Sequence, residues 1–533
     1  MKVRFFAMAV LVACVVLPLC TAGAQSLAGR ATPATSILHP DGPAAFSHVP
    51  PLTPEQHEML DEKLEALHLE MLAKKGPVAN GPGVSISLAN AKETAIAVSE
   101  DAGVAVLPAP GAFYIGSNKA YNIVGDGEST VAEPAVANSG NKWLVTQNWS
   151  RGYSNNAGTT FTAIPDDSGP ADAPFFCCDQ DAVHDHGRDL TVWSELFIDG
   201  ALTTGVVRLH VRNANNLTDR CTYTIDGGAG TLFDYPHLGL GNNFLYLTTN
   251  TIANGGWTGA SVWRFNLDQM AACGGVNFGF FNWTGSVGQV VWTPARGTTD
   301  TMYLVTIENA SQNRHFWWPE NSNTIFWNVY NVPASNFGAA TCTGGLSGGN
   351  WMGGLATSSL GFQIRSAVGQ DNGVQYLATY YTVAPSGGIT QAYAANTIWR
   401  TQDMTMNNFA PIFNNGACFG YPDVTANSRG DLGLAIGFGS SATGGGPAQS
   451  YVAISDDYSR GTTRGYFASV FLCASANDNP SRWGDYLTAR VQEPVDTAFI
   501  ATGYGDVSGL GKVRVCEFMR GRYAQAYLDR RLK

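Results

Sequence analysis

Apolar and polar positions alternate along most of this chain in short runs, and the runs return in a fixed order. An apolar stretch led by a charged residue or proline is followed by a polar turn, then by a second stretch rich in aromatic and β-branched residues. Alternation with a period of two predicts strands, not helices. The pattern occurs seven times: 133–140 into 142–146, 179–183 into 190–193, 234–239 into 244–248, 291–294 into 302–305, 365–369 into 374–378, 421–427 into 432–435, and 482–488 into 497–501. A third strand follows in most repeats, as at 205–211, 261–265, 324–329, 397–400, 451–454 and 512–518. One small antiparallel sheet per ~50 residues is the signature of a β-propeller, in which each sheet buries both faces against its neighbours. The expectation is an all-β chain, a β-propeller over 131–520 with seven blades, or six if one repeat is misread. The last repeat runs short of sequence for an outer strand, and residues within 79–130 are expected to supply it and close the ring.

Two segments break the alternation. Residues 1–24 carry Lys2 and Arg4, an apolar stretch, and Ala22-Gly23-Ala24 before Gln25, the layout of a cleaved export signal. The apolar run is too short for a confident membrane span, and no later segment reaches that length, so stable membrane insertion is not expected. Residues 25–52 read as an Ala/Pro-rich linker. Across 53–78, Leu60, Leu64, Leu67 and Met71 recur at helical spacing after Thr53-Pro54-Glu55-Gln56, giving an amphipathic helix that docks on the main domain or leaves as a propeptide.

Composition sharpens this picture. The chain has 533 residues, 61 of them Gly, with only 14% charged and 11% aromatic residues. Abundant turns and aromatics fit a strand-built protein and exclude a coiled coil or global disorder. The net charge of −11 excludes a nucleic-acid footprint. The basic cluster Arg520, Arg522, Arg530, Arg531 and Lys533 reads as a solvated tail over 521–533. Eight cysteines lie beyond the signal, an even number that favours disulfides in an exported, secreted or periplasmic, protein. Adjacent Cys177 and Cys178 are expected to take separate partners, with a vicinal bridge as the alternative. No metal site and no cofactor are predicted; His184-x-His186 falls in a turn on the face opposite the expected site.

Ser154-Asn155-Asn156-Ala157-Gly158-Thr159-Thr160-Phe161 resembles the Asp-box of sialidase-like (BNR-repeat) propellers. Ser455-Asp456-Asp457-Tyr458-Ser459-Arg460-Gly461 looks like a degenerate second copy, and Arg482-Trp483-Gly484-Asp485-Tyr486 is similar to a segment of exported members of that group. The resemblance covers about 400 residues and implies a propeller fold and a carbohydrate ligand. The F/Y-R-I-P segment that begins a sialidase's arginine triad is not found.

In a propeller the innermost strands start at the face that usually holds the site. That placement gathers Glu133, Asp181 (or Asp179), Asp234, Arg365, Tyr421, Arg482 and Asp485 around one channel mouth. Carboxylates, arginines and a phenol together suit sugar hydroxyls and acid–base chemistry. Asp181, Asp234, Asp485, Tyr235 and His237 are the catalytic candidates; Glu133, Arg365, Tyr421 and Arg482 are candidates for substrate binding. A long fourth-repeat loop, 308–323, would add His315, Trp317 and Trp318 as a stacking surface, with Trp257 in the matching third-repeat loop. The reading is an exported propeller that binds or processes an extracellular glycan or polysaccharide, in the manner of a glycoside hydrolase. One alternative is a polysaccharide lyase using Tyr235, His237, His210 and an arginine. Another is a non-catalytic carbohydrate- or protein-binding propeller. Gly345-Leu346-Ser347-Gly348-Gly349 lacks the strand–turn–helix context of a nucleophile elbow.

Overall fold

The structure is a computed structural model. It describes residues 27–30, 32–39, 96–97, 108–123 and 133–531, the last range without 166, 168, 214–216, 284–291, 310, 334–341, 343–349, 353–363, 387, 441–445, 460–466, 468–469, 478–482, 484 and 508–509. The expected export signal and amphipathic helix lie outside these residues.

The chain is all-β, a β-propeller. Seven antiparallel four-stranded groups can be followed among the described residues. The first is Ala135–Ser139, Lys142–Gln147, Ser150–Ser154 and Thr162–Ala163. The second begins at Asp181–Asp185, the third at Thr231–Leu240, the fourth at Thr293–Pro294, the fifth at Arg365–Asp371 and the sixth at Ala417–Ala426. The seventh has Ala489–Val491, Phe499–Val507 and Leu510–Arg520, and its outermost strand is Phe113–Ala120, from far upstream. The second and third groups touch through one parallel pair, Gly205 with Leu232. Within the Ala/Pro-rich stretch, Leu27–Arg30 and Thr32–Leu38 pair on the outer edges of the fourth and third groups.

The apolar clusters lie between successive groups, as radial packing requires. One joins the first group's Leu144 to the second's Trp193, and another joins the fifth group's Tyr380 to the sixth's Leu434. Trp143, Trp193 and Trp399 are fully buried within such layers. Three disulfides, Cys221–Cys273, Cys342–Cys418 and Cys473–Cys516, tie strands and loops that sit far apart in sequence.

The Ser154–Phe161 hairpin shows why its residues are spaced as they are. Ser154 Oγ accepts from the amides of Asn156 and Gly158, Asn156 Oδ1 accepts from the Thr160 amide, and Gly158 takes φ 75°. A Cβ at Gly158 would meet the Trp143 ring at 2.3 Å, so the close approach also requires glycine.

Four expectations are corrected. Cys177 and Cys178 bridge each other instead of separate partners. The 308–323 loop is a hairpin: Gln312–Pro319 pairs along its length with Thr301–Asn309 and Thr324–Asn331, because its alternating bulky residues fill both faces of a buried strand. Trp257 likewise belongs to a strand, Gly256–Asn266. The basic tail is not uniformly solvated. Arg520 is buried on Asp456, Arg522 pairs with Asp457, and Ala524–Arg531 is a helix with Tyr527 fully buried.

Candidate functional site

The inner strands of the third and sixth groups carry the same irregularity. Tyr235-Pro236 and Tyr421-Pro422 interrupt the ladder between Asp234 and His237 and between Gly420 and Asp423. Both tyrosines take positive φ, 59° and 54°. Proline cannot donate to the ladder, and the bulge re-aims the neighbouring side chains. In the third group this brings the Tyr235 ring within 4.5 Å of the His237 ring and 5.6 Å of Tyr486 from the seventh. In the sixth it packs Tyr421 between Trp351 and Trp483, where its hydroxyl donates to the Trp351 carbonyl.

Around the axis, ion pairs join different groups. Arg490 donates to Asp181 Oδ1 at 2.5 Å and to the Ala182 carbonyl, and Asp181 Oδ2 accepts from the Leu238 amide. Arg296 donates to Asp423, which also accepts from the Ala489 amide at 2.6 Å. Arg365 donates to His237 Nδ1 at 3.3 Å, and its Nε lies 4.0 Å from Asp423. This belt links the second to seventh groups with three guanidiniums, two carboxylates and one imidazole.

The belt sets its members' protonation. Burial would raise the Asp181 carboxyl, but Arg490, His237 and Arg296 outweigh it and hold it well below the usual range. Burial and then the Arg365 charge push His237 down to about 3, so the ring is neutral. Since Nδ1 accepts from Arg365, the proton sits on Nε2. Burial and then Arg490 lower Arg296 to about 10.

Towards the start of the inner strands lie Glu133, Asp179, Asp234, Asp485, Tyr235 and Tyr486, all buried. Burial, reinforced by Asp485 and Glu133 against Arg365, raises the Tyr235 phenol well above its ordinary value. Tyr486 is raised too and donates to the Gln180 carbonyl at 2.9 Å. Arg365 Nη2 and His237 Nε2 are without a hydrogen-bond partner among the described residues, as are the indole nitrogens of Trp351 and Trp483.

The structure thus brings together Asp181, Tyr235, His237, Arg365, Glu133 and Asp485. Asp234 sits on the same bulged strand, fully buried, with Asn250 Nδ2 at 3.5 Å. Arg482 lies outside the described residues. His315, Trp317 and Trp318 sit elsewhere, in the packing of the fourth group. His315 is fully buried against Trp399 and Tyr330, and burial lowers it to about 3. Trp318 donates to the Ser322 carbonyl under the Arg264 guanidinium, and Trp317 stacks on Phe326. His210 does not join Tyr235 and His237; it stacks on Trp193 at 4.2 Å between Glu195 and Asp219. Sequence reasoning missed Arg296, Arg490 and Tyr486, and passed over Asp423. The repeated Tyr-Pro-x of the third and sixth inner strands signals Asp423, because it aligns with His237.

Asp167, Glu195 and His210 offer ligand atoms within 4.8 Å of one another. Arg208 and Arg151 already hold the two carboxylates, at 2.9 Å for Arg151 on Glu195, and both His210 nitrogens are bonded. This donor set is engaged as an ion-pair network.

Among the described residues no helix is long and apolar enough to cross a membrane. No protein-family model and no curated protein matches the sequence. Among solved structures, the chain is similar to an α-L-arabinanase of Penicillium chrysogenum complexed with arabinobiose (11% identity, 74% of this chain and 94% of that one, TM-score 0.36). It is also similar to the NanB sialidase of Streptococcus pneumoniae (7%, 59% and 67%, TM-score 0.37). A third is an apocarotenoid oxygenase of Synechocystis (10%, 64% and 74%, TM-score 0.36). The three names do not share a reaction.

Proposed function

We propose that this chain is an exported, seven-bladed, sialidase-like propeller that binds an extracellular glycan at the strand-start end of its channel and hydrolyses it by carboxylate acid–base chemistry. One observation carries the reading: among the described residues, Arg365 Nη2 and His237 Nε2–H are buried donors without partners, set among the carboxylates Glu133, Asp179 and Asp485 and the phenol of Tyr235. An unpaired buried donor costs about 1–3 kcal/mol, which an incoming acceptor recovers. Donors and acceptors side by side match a polyhydroxylated ligand.

The roles divide by availability. Both Asp181 oxygens are engaged in the belt, so Asp181 positions the site and does not carry protons. Asp485, Glu133 and Asp234 are the acid–base candidates. Tyr235 stays protonated and donates a hydrogen bond. The lyase alternative needs a base to remove a carbon-bound proton, and neither the raised Tyr235 phenol nor a His237 protonated on Nε2 suits that task. Four disulfides support export to an oxidising compartment.

The test is a panel of neutral and acidic polysaccharides, read by release of reducing ends and by direct binding. Asp485→Asn is expected to lower turnover by about 10²-fold or more while retaining binding. Arg365→Gln is expected to weaken binding itself. Binding without turnover across the panel would turn the reading to a non-catalytic module, and no binding to any glycan would sink it.

A further inference from the structure

Beside Arg296 and Arg490 of the belt lies a cavity of about 200 Å3. The walls come from the later half of the inner strands and the turns after them. Val183, Leu238 and Val491 are apolar, while Asn138, His184, Arg296, Arg490 and Glu493 are polar. This is the turn face, away from the carboxylates described above.

The polar groups are arranged for a ligand. Asn138 is only 3% exposed; its Nδ2 donates to the Glu493 carbonyl at 2.9 Å, and its Oδ1 has no partner among the described residues. His184 Nδ1 lies 3.2 Å from Thr191 Oγ1, and its buried Nε2 is likewise without a partner. At the belt side, three guanidiniums face two carboxylates. Arg490 uses Nε, Nη1 and Nη2 on the Ala182 carbonyl, the Ala489 carbonyl and Asp181, whereas the bonds of Arg296 use Nη1. Among the described residues Arg296 Nε and Nη2 therefore have no partner, and an anion beside them would offset the repulsion from Arg490. Glu493, half-buried and with its carboxylate 3.7 Å from His186 Nδ1, supplies an acceptor in the same lining.

We infer that this cavity is a second binding site, for a small hydroxylated carboxylic acid about the size of one sugar ring. Its carboxylate meets Arg296, and its hydroxyls meet Asn138 Oδ1, His184 Nε2 and Glu493. The volume falls below the ~300–1,000 Å3 of pockets for drug-sized ligands, which limits the occupant to a single small ring or chain. The site stands independently of the glycan reading.

Calorimetric titration of the protein with D-glucuronate, glucose and acetate tests this. Glucuronate should bind once per chain, about tenfold or more tighter than either fragment, which carries only the hydroxyls or only the carboxylate. Asn138→Leu and His184→Phe should each weaken it about tenfold, whereas Tyr235→Phe should leave it unchanged. Where thermal unfolding shows that a buried change disrupts the fold, Glu493→Gln takes its place, with the same expected direction. No binding of glucuronate at millimolar concentration, equal binding by every folded cavity variant, or loss of binding with Tyr235→Phe would each overturn the assignment.

Discussion

His237 at the axis and His210 between the first and second groups are both almost completely buried, yet they hold opposite protonation. His210 has a carboxylate at each nitrogen, Glu195 at 2.6 Å and Asp219 at 3.0 Å. Burial alone would lower its pKa, but these two carboxylates outweigh burial and raise it, so the ring is an imidazolium donating on both sides. His237 has one carboxylate in view, Asp181 at 3.8 Å, which is already bonded to Arg490, and its nearest partner is the Arg365 guanidinium. Partner supply, not depth, decides the charge. Between the groups, each carboxylate sits against its own cation, Asp167 on Arg208, Glu195 on Arg151 and Asp219 on Arg212. In the axial belt three guanidiniums face two carboxylates, and the charge that acts most on the His237 ring, Arg365, lowers its pKa. The first arrangement ties neighbouring groups together; the second is the one we propose to take a ligand.

The largest expected effect breaks the axial half of this contrast. Arg490→Met leaves Asp181 buried without its guanidinium, a change expected to cost about 3–5 kcal/mol in chemical denaturation. A loss under about 1 kcal/mol would mean that the belt is not a structural tie. Next comes pH. His237, depressed from 6.5 to about 3, takes up its proton on unfolding, so stability falls as pH drops below 6.5, at up to about 1.4 kcal/mol per pH unit. His210, raised above 6.5, contributes stability that is complete below 6.5 and is lost as pH rises through its folded value. His237→Gln should flatten the acid limb and His210→Gln the alkaline limb. Melting temperatures across pH for the two variants check this, and a shared effect on one limb would erase the distinction.

The sequence made the fold and the convergence of residues at the starts of the inner strands readable, because both depend on local repeats. The start of each inner strand can be found by pattern, and Glu133, Tyr235, His237, Arg365 and Asp485 converge for that reason. The belt was not readable in the same way. Arg490 and Asp181 are separated by 309 positions, and Arg296 and Asp423 by 127, and nothing local says which arginine reaches which carboxylate. Register between blades decides that. The 308–323 segment misled for another reason: its charged and aromatic residues look like an exposed loop, but alternation places His315 and Trp318 inside a strand buried on both faces. Cysteine order leaves the connectivity undetermined, so the Cys177–Cys178 bridge was not legible in the sequence.

The smallest expected effect separates the two histidines without removing either. Trp193 stacks on His210 at 4.2 Å, and the guanidiniums of Arg212 and Arg151 lie 4.9 and 5.6 Å from its ring. Its Nε1 donates to Gln180 Oε1 at 2.9 Å, beside Asp181, so one side chain touches both regions. Trp193→Phe keeps an aromatic face but weakens the attraction for the imidazolium and removes the indole donor. The expected loss is about 1 kcal/mol of stability. By NMR, the His210 titration midpoint should fall by a fraction of a unit, since a poorer π-face favours the charged ring less. His237 is held by Arg365 and burial, neither of which this change alters, so its ring should stay neutral over the same range. Movement of both midpoints together would show that the inter-blade network and the axis titrate as one system, and the division of labour between them would fail.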